Sequence, residues 1–231
     1  MVRTTAYRHP NAIPPLLRTL LISVAVVLIS AFLTKCLSLL IVVFILGASI
    51  FSSRAMQAQL MRKAFLVSPE RSPQLDKVVQ VCARRLQPGP LNVYVVRENM
   101  VNAYTFGLSE TKNIVMYEPM LRIMNAGELA FVLGHEMGHV ALGHTWLNTF
   151  VGGLAGSPSP FGIGYIMYLV FQRWSRACEF SCDRAGLLAC GSLNYAVSAL
   201  VRLAAPKIQS QAEYEQALTM IDAQDDAFVN Q

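Results

Sequence analysis

Three of the chain's four histidines fall within ten residues: His135, His139 and His144. The central string is His135-Glu136-Met137-Gly138-His139, an H-E-x-x-H pattern. Residues four apart share one face of a helix, so two imidazoles at this spacing can bind one ion. Glu136 follows the first histidine and can reach a metal-bound water. Zinc lowers the pKa of such a water towards neutrality, and a carboxylate can then take its proton as general base.

A catalytic zinc site needs a third protein ligand and an open fourth position. Forty residues beyond His139 stands Glu179-Phe180-Ser181-Cys182-Asp183. Glu179 and Asp183 are also four apart, so Glu179 can be the third ligand. Asp183 can accept the spare N–H of a ligating histidine and fix its tautomer. The competing readings are a chance H-E-x-x-H match on an apolar helix, and a solvated acidic face flanked by Arg176 and Arg184. His144, five residues past His139, sits about 140° further round a helix. It reads as a residue favoured by the helix C-terminus or as part of a substrate cleft. Cys178, Cys182 and Cys190 crowd the same segment and read as buried small residues rather than soft ligands. With five cysteines and no paired framework, a reducing compartment is expected.

The elements that must position these groups are legible. Asn125 can cap a helix running from Ala126 to about His144, with Glu128 completing a capping box. A second helix is expected over residues 161–190, after a Gly/Pro/Ser-rich break at 151–160. Leu91–Val96 alternates and is β-branched, and 102–107 and 113–117 read as further short strands. Leu75, Val78, Val79, Cys82 and Leu86 recur at helical spacing, ending at Pro88-Gly89-Pro90. A last helix over 194–203 precedes Pro206. The stretch 145–172 carries no charge, and its apolar part, 161–171, is too short to span a bilayer.

Composition places the chain at a membrane. Of 231 residues, 54% are hydrophobic and only 14% charged, with mean hydropathy +0.41. A soluble domain carries about 25% charged residues. Residues 1–71 hold eight Lys/Arg and one acidic residue, while the remainder holds eleven and thirteen. The basic excess therefore flanks the apolar N-terminal stretch and suits anionic lipid headgroups; with no basic stripe elsewhere, nucleic acid is not an expected partner. The apolar run is too long for one span and too long for the core of a cleaved signal peptide. It divides into spans 16–34 and 37–53 about Lys35. Arg3, Arg8 and Arg18 precede the first span and Arg54, Arg62 and Lys63 follow the second, so both ends are expected in the cytoplasm.

The strings GELAFVLGHEMGHVALGH, NAYTFG and SRACEFSCDRAG together resemble the HtpX-like and Ste-type CAAX-prenyl-endopeptidase family of zinc metallopeptidases, over roughly residues 70–205. The resemblance implies an α+β, mainly α, zincin-like domain of the gluzincin type, with a small sheet, preceded by a transmembrane helical hairpin. Its parts would be a membrane anchor (1–53), a linker (54–73), the metallopeptidase domain (74–205) and a polar tail (206–231). His135, His139 and Glu179 would hold one Zn2+, Glu136 would be the general base, and Asp183 would stand behind a ligand. Asn102 and Ala103 would belong to a sheet edge that binds substrate as an added strand. The activity implied is hydrolysis of protein or peptide substrates at a lipid bilayer, in a bacterial inner membrane, with the catalytic domain cytoplasmic. The chain departs from the family in its short gap between the two motifs, in Cys182 before Asp183, and in lacking the many spans of the prenyl-processing branch. Arg184, Tyr165, Tyr168 and Tyr195 are candidates for stabilising the oxyanion. Two other readings stand beside this one. The first is a tethered zinc scaffold without turnover, its open position blocked by His144 or Cys182. The second is a zinc hydrolase of small molecules.

Overall fold

The computed structural model describes residues 4–8, 13–34, 37–107, 110–145 and 163–204. The break at 151–160, the turn at Lys35 and the tail 206–231 lie outside these residues. Two long helices come first, α1 (Ile13–Leu33) and α2 (Leu37–Met61). Segment Pro14–Leu33 is long and apolar enough to cross a membrane, with hydropathy 2.4 and none of its apolar window buried. Helix α2 runs eight residues past the span end expected at 53. Nothing in Arg54–Met61 breaks a helix, and Ala, Met, Gln and Leu there are good formers.

The stretch read as linker thus contains the end of α2 and a short strand, β1 (Ala64–Leu66). Helix α3 (Pro73–Leu86) starts with Pro at its first position and Asp76 in its first turn, and ends on Arg84 and Arg85. Gln87 closes it in the left-handed region (φ 50°). Its buried stripe is Leu75, Val79, Cys82 and Leu86.

Strands β2 (Leu91–Val96), β3 (Ala103–Phe106) and β4 (Lys112–Tyr117) complete a four-stranded mixed sheet, in the order β1-β2-β4-β3. β2 and β4 are parallel; β1 and β3 pair antiparallel with β2 and β4. Alternation divides the sheet cleanly. Val93, Val95, Ile114 and Met116 face the main core, whereas Val96, Tyr104, Phe106, Val115 and Tyr117 form a second cluster on the other face. The register Ala103↔Met116 and Thr105↔Ile114 puts Ala103 and Thr105 on the main-core face.

After a short α4 (Glu118–Ile123) come α5 (Ala126–Ala141), α6 (Ile163–Cys190) and α7 (Leu193–Ala204). α5 lies between the sheet and α6, and most of its length is buried. Tyr7, ahead of α1, is buried in the same main core, so the segment before the first apolar helix packs with the sheet and the later helices.

Candidate metal centre

Helix α5 is fixed at its start by the capping box foreseen from sequence. The Asn125 side chain accepts from the N–H groups of Gly127 (2.9 Å) and Glu128 (3.0 Å), and Asn125 N–H donates to Glu128 Oε2 at 2.7 Å. Towards its other end, two glycines let α6 come close. A Cβ at Gly134 would lie 2.3 Å from Ala189 Cβ, and one at Gly138 would lie 2.9 Å from Ala185 Cβ and 3.2 Å from Cys182 Cα. Each glycine immediately precedes a histidine, His135 or His139. The glycine pair and the histidine pair therefore share a spacing: one seats α6 and the other presents imidazoles beside it.

The consequence is convergence. His135 Nε2 and His139 Nε2 are 3.3 Å apart. Glu179 on α6 places Oε2 at 3.3 Å from His135 Nε2 and Oε1 at 3.8 Å from His139 Nε2. Donors about 2.0–2.1 Å from a tetrahedral cation lie about 3.3–3.4 Å from one another, so these atoms suit one such ion. Asp183, one turn beyond Glu179, holds Oδ1 at 2.9 Å from His135 Nδ1, the ring nitrogen turned away from the pair.

Electrostatics agree with a cation site. Burial lowers the pKa of His135, but hydrogen bonds to Asp183 and Glu179 and the charges of Glu136 and Glu179 outweigh it and push it up to about 10. His139 is held well below its ordinary value by burial and by the charges of His135 and His144. The carboxylates of Glu136, Glu179 and Asp183 stand around His135, so the pocket favours a positive charge. Glu136 is buried, and burial raises its pKa against the opposing effects of His135 and a hydrogen bond from Thr105.

His144 departs from expectation. α5 ends at Ala141, and Gly143 takes a left-handed turn (φ +73°). His144 is therefore off the helix, its N–H bonded to His139 O at 2.9 Å. Its Nδ1 lies 3.3 Å from His139 Nδ1, and its ring packs edge-on against Trp174. His144 thus meets His139 on the ring nitrogen opposite the convergent pair. Cys182 is fully buried, with Sγ 3.7 Å from His144 Nδ1, and burial pushes its thiol pKa well up. Its sulfur also groups with ligand atoms of His135 and His139, all within 4.8 Å of one another.

Asn102 and Ala103 lead into β3, whose outer edge pairs with no strand among the described residues. Asn102 O accepts from Tyr117 N–H at 3.0 Å, and Ala103 points towards α5. Among the oxyanion candidates, Tyr195 packs on Gly127, about 12 Å of helix rise before His135, so it is away from the site. Arg184 is exposed, and the side chains of Tyr165 and Tyr168 lie outside the described ones. Sequence reasoning passed over Thr105, whose hydroxyl reaches Glu136. β3 alternation puts Thr105 on the same face as Ala103, but gives it no partner until the helix facing the strand is known.

Residues 69–170 match the model for peptidase family M48. Over these residues the chain is similar to peptidase family M48. It is 30% identical over 193 residues to the plastoglobule-localized metallopeptidase 48, chloroplastic, of Arabidopsis thaliana, an alignment covering 78% of this chain and 56% of that protein. It is 34% identical over 114 residues to a protease HtpX homolog of Pyrococcus furiosus, covering 48% and 37%. Over 49 residues it is 43% identical to the CAAX prenyl protease 1 homolog of Dictyostelium discoideum, covering 21% and 12%. The chain thus spans little more than half the length of the first of these relatives and less of the others. The family match covers α3, strands β2, β3 and β4 and α5, and stops within α6 before Glu179.

Proposed function

We propose that the chain is a membrane-anchored, zinc-dependent endopeptidase acting on proteins at or near the bilayer. The observation that carries this reading is the convergence of His135, His139 and Glu179 at tetrahedral-edge distances, with Glu136 buried beside them. His135, His139 and Glu179 would hold one Zn2+, which when bound polarises a carbonyl and acidifies water. Asp183 keeps the His135 ring in the tautomer that leaves Nε2 free to coordinate. Glu136 takes a proton from the attacking water and returns it to the leaving amine as the C–N bond breaks. Burial brings its basicity closer to working pH than that of an exposed carboxylate. Asn102 and Ala103 open a strand whose free edge can receive an extended peptide.

The apolar exposed face of α1 and the adjacent α2 support anchoring as a hairpin, with the basic residues at both ends holding the domain on the cytoplasmic side. The test is metal analysis of the detergent-purified chain together with casein cleavage by wild type and Glu136→Gln. A variant that keeps its metal and cleaves at the wild-type rate overturns the reading.

Cys182 favours a second reading. If its thiolate joined the two histidines and Glu179, the cation would have four protein donors and no open position, as in a structural site. Cobalt substitution separates the two. A thiolate-to-cobalt charge-transfer band lost in Cys182→Ser supports the closed site; its absence supports the peptidase.

A further inference from the structure

We infer that Thr105 is a positioning residue for Glu136, tying the strand that receives substrate to the group that moves the proton; this rests on the reading of Glu136 as general base. Thr105 Oγ1 lies 2.6 Å from Glu136 Oε2 and 3.3 Å from Glu136 O. A threonine hydroxyl has one proton, and the shorter contact assigns it to the carboxylate. The bond is charge-assisted when Glu136 is ionised, the state a base needs.

The placement is set by the sheet. Tyr104 and Phe106 are buried in the second cluster, their rings 5.9 Å apart, which fixes the rotation of β3 about its axis. The residues between them, Ala103 and Thr105, must then face α5. Pairing with Met116 and Ile114 fixes the strand lengthwise. Thr105 is β-branched and stiff at χ1, so its hydroxyl is presented in few orientations. Glu136 is 7% exposed, and among the described residues Thr105 is the one side chain donating to its carboxylate. Held at Oε2, the carboxylate keeps one rotamer and leaves Oε1 free for a proton. A strand displaced along its length would release this grip, so base and substrate-binding edge stay in register.

The experiment uses the full chain in detergent, loaded with zinc, and fluorescently labelled casein as probe. Wild type, Glu136→Gln, Thr105→Val and Thr105→Ser are compared for kcat, KM and bound metal. Thr105→Val keeps the shape and removes the donor. Its kcat is expected to fall on the order of tenfold, the weight of one hydrogen bond to a charged group, with KM and metal content unchanged. Thr105→Ser is expected to restore most of kcat. A Thr105→Val protein with wild-type kcat overturns the inference, as does a rise in KM alone, which assigns Thr105 to substrate binding, or a loss of metal, which assigns it to the fold of the site. If wild type is inactive, or Glu136→Gln is as active as wild type, the base reading fails and this inference with it. If those two behave as expected and Thr105→Val matches wild type, only the inference fails.

Discussion

Helix α5 carries two buried carboxylates, eight residues apart, and they are treated in opposite ways. Glu128, in the first turn, is 1% exposed and fully engaged. Asn125 N–H donates to one oxygen, and the Ser198 hydroxyl and Arg202 Nε (3.0 Å) donate to the other. Glu136, two turns on, is 7% exposed and receives a side-chain hydrogen bond from Thr105 at a single oxygen. A buried charge is costly unless its lone pairs are satisfied, and the first glutamate is satisfied by the cap and by α7. Among the described residues the second has a single side-chain donor, Thr105, in the half of the helix that carries the histidines. Saturation marks a residue that holds the fold; residual basicity marks one available for chemistry.

The sharpest way to break this comparison is to neutralise each carboxylate in turn. Glu136→Gln is expected to lower casein turnover by 10²-fold or more, the usual weight of a general base, about 3 kcal/mol or above. Its stability to denaturant should be unchanged or slightly raised, because a desolvated charge is removed. Glu128→Ala is expected to do the reverse. It strands Arg202, whose side chain is 18% exposed, and uncaps α5, for a loss of about 3 kcal/mol in denaturant titration. Turnover per folded molecule should stay near wild type. If the two variants have the same profile, the division of α5 into a structural and a chemical half is wrong.

A smaller effect tests how the chemical half is assembled. Gly138→Ala adds a methyl against Ala185 Cβ and Cys182 Cα. Ala at a helix position is otherwise favourable, so any loss reports helix–helix contact. The expected cost is about 1–3 kcal/mol. As α6 is pushed away it carries Glu179 from the histidines, so metal competition against a chelator should show at least tenfold weaker binding. A variant that loses stability but binds metal as tightly as wild type would show that the close approach does not position Glu179.

Much of this division was legible in the amino-acid sequence. The Asn125–Glu128 box, the His135–His139 face and the Glu179–Asp183 face all follow from period 3.6 and side-chain chemistry, which are local. The distance between the two faces is not local. It depends on Gly134 and Gly138 meeting Cys182, Ala185 and Ala189, a contact between segments about fifty residues apart. The end of α5 was read too far along for a related reason: Gly143's positive φ turns the chain back, which takes His144 off the helix and brings it against His139. The helix that begins at Leu37 runs on to Met61, past the span expected to end at 53, because a helix ends only where its backbone bonding fails. Thr105 escaped notice because a lone threonine on a short strand becomes informative only once its facing helix is known.

The least effect at working pH, and the last check, concerns a thiol beneath the structural half. Cys82 on α3 is fully buried, its Sγ 3.5 Å from Ala130 O on α5. Burial pushes its pKa from an ordinary 9.0 up to about 12, with Arg85 pulling the other way. The fold therefore favours the protonated thiol. Its stabilisation is complete below pH 9 and is lost as the pH rises towards about 12, because the unfolded chain ionises first. At pH 10 the loss is about 1.4 kcal/mol. Cys82→Ser has no such titration, so its stability should fall less steeply than that of wild type between pH 8 and 10, and the difference in slope isolates this one group from the other buried thiols. Equal slopes would mean that water reaches Cys82 in the native state. The first turns of α5 would then be no drier than the last, where Glu179 is half exposed, and saturation of Glu128 would have to be explained without a sealed interior around it.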